Sequence, residues 1–202
     1  ILAGTADKPV TVKPASGVAN WYRIVAYGNL SPTALSSINY SVLNLAGYTP
    51  VQPVNEGIAA IRSVCLSTNC ATPIITNNTI TNSNNYGVTF GDLSYASAFT
   101  GNTITGSRFS AVRIRANYVG RTFTGTTNTL TGNNTSATLG HDGVFVDGQT
   151  INVSATWPSV GVPYVIQTAD INVSGSTSTV LTLSPGAQLR FATNRWLLVG
   201  SS

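Results

Sequence analysis

The feature that most constrains the fold is a phrase that returns. Asn-Thr-Ile-Thr occupies residues 78–81 and again 102–105, and comes back as Asn-Thr-Leu-Thr at 128–131, in steps of 24 and 26 residues. A second phrase follows, about ten residues behind the first two of these and later behind the third: Gly87-Val-Thr-Phe90, Ala111-Val-Arg-Ile114 and Gly143-Val-Phe-Val146. Within both phrases apolar residues alternate with polar ones and β-branched residues dominate, which is the half-buried strand pattern; helical periodicity is absent. A period in the twenties built from short strands, with Asn and Gly between them, predicts a solenoid rather than a sandwich.

A pass of this length holds roughly three strands of four or five residues, at ~3.3 Å of rise per residue. The expected fold is therefore all-β, a right-handed parallel β-helix of roughly eight coils with about 24 residues per coil, forming one domain over residues 1–202. Ile80, Ile104 and Leu130 should stack inward as one column and Val88, Val112 and Val144 as another. Asn78, Asn102 and Asn128 should form a ladder of amides at a bend, each donating to the next. Trp21–Tyr27 and Ile38–Leu45 read as strands. Loop excursions are expected near 46–57, where two prolines and two glycines gather, at 65–70, and at 132–142, where the second phrase arrives late.

Composition narrows the class. Only 8% of residues are charged, against a usual quarter or so, yet 42% are hydrophobic, so the chain folds and carries a neutral, hydroxyl-rich surface. The net charge of +4 reflects six acids rather than many bases, and there is no Lys/Arg run. We expect no nucleic-acid partner. No apolar run approaches the ~20 residues that span a bilayer, so no membrane insertion is expected. The lack of methionine, even at position 1, suggests a mature product or an excised portion of an exported protein.

Cys65 and Cys70 are the two cysteines. Five residues apart on a predicted turn, they are expected to close a disulfide, which points to an oxidising compartment. The rival reading, a metal site, lacks ligands, since His141 is the single histidine and zinc normally wants four donors. No metal or cofactor is expected. Seven Asn-x-Ser/Thr sequons begin at Asn29, Asn39, Asn77, Asn133, Asn134, Asn152 and Asn172 and matter only if the source glycosylates exported proteins.

The run Leu181-Thr-Leu-Ser-Pro-Gly-Ala-Gln-Leu-Arg-Phe191 resembles a phrase of secreted bacterial and archaeal parallel β-helix proteins of the pectin-lyase-like superfamily. There it is followed by a Gly-Thr-x-x-x-Pro-Val phrase and a Trp strand. This chain carries the matching Gly4-Thr5, Pro9-Val10 and Trp21 at its beginning. The resemblance implies that the C-terminal coil leads into an N-terminal one, and it implies a fold rather than a chemistry. Uncapped β-helix ends template pairing, and an end-to-end contact is heterologous and does not close. The expected partner is thus a second copy, stacked head to tail through Ile1, Leu2, Val10, Val12, Leu189, Phe191, Trp196, Leu197, Leu198 and Val199. The rival is a piece cut from a longer β-helix.

Three outward features are candidate sites. The pairs Thr79/Thr81, Thr103/Thr105 and Thr129/Thr131 resemble the lattice of ice-binding solenoids, although threonine is a default solvent-face strand residue. Arg113, Arg115 and Asp147 are candidate contacts for an acidic surface polysaccharide; the plainer expectation is that Arg115 and Asp147 form a solvated cross-strand pair. His141, Asp142 and Asp147 gather titratable groups, but glycoside hydrolysis needs paired carboxylates and six scattered acids assemble poorly. We therefore expect no enzyme, but an extracellular or cell-surface structural protein, the subunit of a fibre, sheath or adhesin stalk. The alternative is a carbohydrate-binding or carbohydrate-cleaving protein.

Overall fold

A computed structural model describes residues 1–27, 36–47, 59–65, 72–91, 93–124, 127–134, 142–175 and 178–200. The expected excursions at 46–57, 65–70 and 132–142 lie largely outside these residues. Every named strand pairing is parallel.

The first half of the chain makes four passes over three sheets. The passes are β1 (Leu2–Ala3), β2 (Val10–Val12) and β3 (Ile24–Tyr27); β4 (Ser37–Asn39), β5 (Ser41–Asn44) and β6 (Ala59–Val64); β7 (Ile74–Thr76), β8 (Thr79–Thr81) and β9 (Tyr86–Phe90); and β10 (Ala98–Thr100), β11 (Thr103–Thr105) and β12 (Val112–Arg115). Every third strand joins the same sheet, so β1, β4, β7 and β10 form one and β2, β5, β8 and β11 a second.

After β12 the sheets that receive successive strands change. A 3-10 turn at Ala116–Tyr118 and a single α-turn, α1 (Val119–Thr122), intervene before β13 (Val144–Asp147), β14 (Thr150–Ile151), β15 (Ala155–Trp157), β16 (Tyr164–Ile166), β17 (Ile171–Val173), β18 (Leu181–Leu183), β19 (Leu189–Phe191) and β20 (Leu197–Val199). The third sheet continues as β3-β6-β9-β12-β13-β16-β19, while two new sheets, β14-β17-β20 and β15-β18, replace the first two. Among the described residues, only the seven-stranded sheet therefore runs from the first pass to the last.

The step between passes is not constant. Ile75 pairs with Phe99, 24 residues on, but Ile38 pairs with Ile75, 37 residues on. The extra length falls between β5 and β6, where the sequence places its Pro/Gly excursion.

Sharp bends separate the strands. Tyr40 and Asn77 adopt φ of 47° and 56°, and Gly101, in the equivalent place, 67°; on the far side of the second sheet Leu45, Asn82, Gly106 and Gly132 do the same at 57°, 54°, 68° and 77°. One left-handed residue turns the chain with no loop, and Asn and Gly are the types that enter that region most cheaply. Tyr40 splits the single strand expected over Ile38–Leu45 into β4 and β5. Likewise the strand read from Trp21 begins only at Ile24.

The expected inward columns form. Leu43, Ile80, Ile104 and Leu130 are buried in line, as are Ile61, Val88, Val112 and Val144. A spine of rings, Phe90, Phe99, Phe123, Tyr164 and Trp157, runs through the same core at centroid spacings of 5.8, 5.5, 6.3 and 5.2 Å, the tilted and edge-on packing aromatic quadrupoles favour. The short helical turn escaped the sequence reading because only Ala116, Val119 and Thr122 mark its buried face, and one turn is too brief to display a period.

Candidate functional site

The Asn ladder is the first product of these bends. Asn78 Nδ2 donates to Asn102 Oδ1 and Asn102 Nδ2 to Asn128 Oδ1, both at 3.1 Å. The second hydrogen of each amide goes to a carbonyl: Asn78 to Ile38, Asn102 to Ile75 and Asn128 to Phe99. Each Oδ1 also accepts a backbone N–H, from Ser41, Asn78 and Asn102 in turn. The ladder is therefore a bend cement, with its capacity used within the fold. At the other bend Asn133 plays the same part, donating to Ile104 O and Leu130 O while accepting from Ser107 N.

Asp142 extends that bend. Its carboxylate accepts from Gly132 N at 2.8 Å and Asn133 N at 3.0 Å. It is thus engaged as a backbone cap, and His141, its suggested companion, lies outside the described residues. Among the described residues no three His, Cys, Asp or Glu side chains gather as a metal group, and no helix is long and apolar enough to cross a membrane.

The outer face of the long sheet carries a cleft that unites Arg113, Arg115 and Asp147, all singled out in the sequence. Strand alternation points Val112 and Ile114 into the core and Arg113 and Arg115 outward, and on β13 it points Phe145 and Asp147 outward. Arg113 is directly opposite Phe145 and Arg115 directly opposite Asp147. The register sets Asp147 beside Arg115, as expected, and a second arginine also reaches it. Arg113 reaches diagonally: its Nε donates to Asp147 Oδ2 and its Nη2 to Oδ1, both at 2.8 Å. The reason is steric and electronic. With an aromatic ring opposite, the guanidinium lies across Phe145, 5.3 Å from the centroid, and near Tyr86 at 5.7 Å, and its length spans the diagonal that shorter side chains cannot.

Arg113 is only 7% exposed, so this is a half-buried bidentate ion pair, not a free cation. Tyr86, Phe109, Phe145 and Ala59 form a small apolar cluster apart from the main core, and burial there pushes the Tyr86 phenol above its ordinary value of 10.0, against the opposing pull of the Arg113 charge. The cluster was missed in the sequence because its members come from different passes.

Beside this pair a cleft of about 390 Å³ is lined by Phe90, Gly91, Arg113, Arg115, Asp147, Gly148, Gln149 and Thr168. Thr168 donates to Asp147 Oδ1 at 3.3 Å. Gln149 Oε1 is buried with no hydrogen-bond partner among the described residues. Gly148 keeps the backbone turn close: a Cβ there would fall 1.9 Å from Ala169 O. The cleft can hold a small polar group that donates to Gln149 and accepts from guanidinium N–H groups.

The threonine pairs are in register, Thr103 beside Thr79 and Thr129, and Thr105 beside Thr81. The lattice is three rungs high, and Thr81 Oγ1 donates to Asn44 Oδ1.

The expected interface residues sit at the two ends of the stack. Leu2, Val10 and Val12 belong to the first pass, with Ile1 almost wholly exposed; Leu189, Phe191 and Trp196–Val199 belong to the last. Trp196, Leu197, Leu198 and Val199 are all exposed. An apolar groove of about 240 Å³, lined by Val173, Thr179, Val180, Leu181, Leu183, Leu197 and Val199, opens between the last strands. Cys65 directly follows β6, and no free cysteine occurs among the described residues; Cys70 lies outside them, so the Cys65–Cys70 bond stands as an expectation.

Compared with protein-family models, curated proteins and solved structures, the chain matches none.

Proposed function

We propose that this chain is a right-handed parallel β-helix of the pectin-lyase-like type, of roughly eight coils, and that it serves outside the cell as a structural subunit stacking head to tail into a fibre, sheath or stalk. The observation that carries the reading is the state of the two ends. Among the described residues nothing pairs beyond β3 at one edge of the long sheet or beyond β19 at the other, and four consecutive apolar residues lie exposed beside the second edge. Free edges of this kind recruit further strands, and because the two edges differ, the contact propagates instead of closing. A neutral surface, an interior filled by aligned Ile, Val and Leu, and amide ladders at the bends suit a load-bearing rod.

The test is electron microscopy and sedimentation of the purified protein over a range of concentrations. Filaments with an axial repeat near seven strand spacings, about 34 Å at ~4.8 Å each, are expected. A particle that stays monomeric at every concentration overturns the reading.

A second reading, contact with a surface polysaccharide through the cleft, is favoured by the buried, unpartnered Gln149 Oε1. Sugar hydroxyls supply the missing donor. Glycan-array binding of Gln149→Ala beside the unmodified protein tests it: lost binding supports the reading, and unchanged binding overturns it.

A further inference from the structure

We infer that the joint between copies is made by the long sheet in one defined register, with β19 of one molecule lying beside β3 of a second copy so that Leu189 faces Ile24, Arg190 faces Val25 and Phe191 faces Ala26. This rests on the stacking reading above and adds the surface and its alignment.

Three observations select it. First, the long sheet alone has strands in both the first and last passes; the other four sheets each end or begin in the middle of the molecule. An end-to-end contact can therefore continue only this sheet without a change of partner. Second, the two edges carry the same alternation. Ile24, Ile61, Val88, Val112, Val144, Tyr164 and Leu189 follow one another in register along the sheet, and Ile114, Val146, Ile166 and Phe191 form the neighbouring inward column. Setting Leu189 against Ile24 carries the first column straight into the second copy.

Third, the alternatives are penalised. A slip by one residue turns Leu189 and Phe191 out to solvent and Arg190 into the core. A slip by two in one direction sets Arg190 directly against Arg23, and like charges opposite one another destabilise a sheet. In the proposed register Arg23 faces Gln188 and Arg190 faces Val25, so no like charges meet. The apolar groove lined by Val180, Leu181, Leu183, Leu197 and Val199 lies at the same end, and the first pass of the second copy, bearing the half-buried Leu2 and Val12, is the surface that covers it.

The experiment uses two single variants of the full chain, Val25→Cys and Arg190→Cys, mixed under mild oxidation and run without reductant. Facing residues on adjacent strands are ~4.8 Å apart, within disulfide reach. A cross-linked dimer from the mixture, absent from either variant alone and much weaker when Arg190→Cys is mixed with Arg23→Cys, is expected. Sedimentation of the unmodified protein runs alongside. If it assembles while the Val25/Arg190 pair fails to link, or the Arg23/Arg190 pair links better, the register is overturned and stacking survives. If it never assembles, both fall.

Discussion

Asn102 shows how much one side chain can hold. It accepts from both the backbone N–H and the amide of Asn78 and donates to Ile75 O and Asn128 Oδ1, while fully buried. Asn102→Ala leaves donors and an acceptor unsatisfied in the core, and at about 1–3 kcal/mol for each orphaned group the loss of unfolding free energy in urea should reach roughly 3 kcal/mol or more. Arg113→Ala is expected to cost about 3 kcal/mol by stranding Asp147 in a half-buried site. Arg113→Lys should recover little of it, because an ammonium cannot make the two parallel hydrogen bonds, and thermal melts of the pair check this. The Asn ladder was legible in the sequence because identical residues at a nearly fixed step stack on one another. The Arg113–Asp147 pair was not, since a periodic reading yields direct neighbours, and this contact is a diagonal one dictated by the ring of Phe145.

At the level of elements, β16 joins the aromatic spine to the long sheet. Tyr164 is fully buried, donates its hydroxyl to Pro158 O at 2.7 Å, and is packed against Trp157 and Phe123. Burial raises its phenol well above the ordinary value of 10.0, as it does for Tyr86. The sign follows directly: the folded state retains a proton that the unfolded state gives up, so this stabilisation is complete below pH 10 and declines as pH rises above it toward the folded values. Unfolding free energy should therefore fall steeply above pH 10. In Tyr164→Phe that alkaline slope should be shallower, while at neutral pH the lost hydrogen bond costs about 1 kcal/mol. Denaturant titrations at several pH values measure both. Strand identity was readable in the two repeated phrases from their apolar and polar alternation, but the one-residue bend at Tyr40 and the turn at Ala116–Thr122 carried no periodic signal.

For the whole molecule, the sequence alone determined that short alternating strands recur at a step in the twenties and that their like residues align. Aligned Ile, Val and Asn columns require parallel in-register stacking, because only that arrangement sets apolar on apolar and amide on amide. The sequence also marked both end segments as apolar. What the tertiary structure decided is how the passes are shared among sheets: four passes over one set, a helical turn, then a second set, with a single sheet continuous throughout. That choice depends on how Phe123, Trp157 and Tyr164, distant in sequence, fill the interior where the sheets change, and on Gly120 letting the helical turn approach Thr156 O, where a Cβ would fall 2.5 Å away. Local periodicity records which face of a strand is buried; the partner that buries it is settled only when side chains from separate passes compete for the same volume.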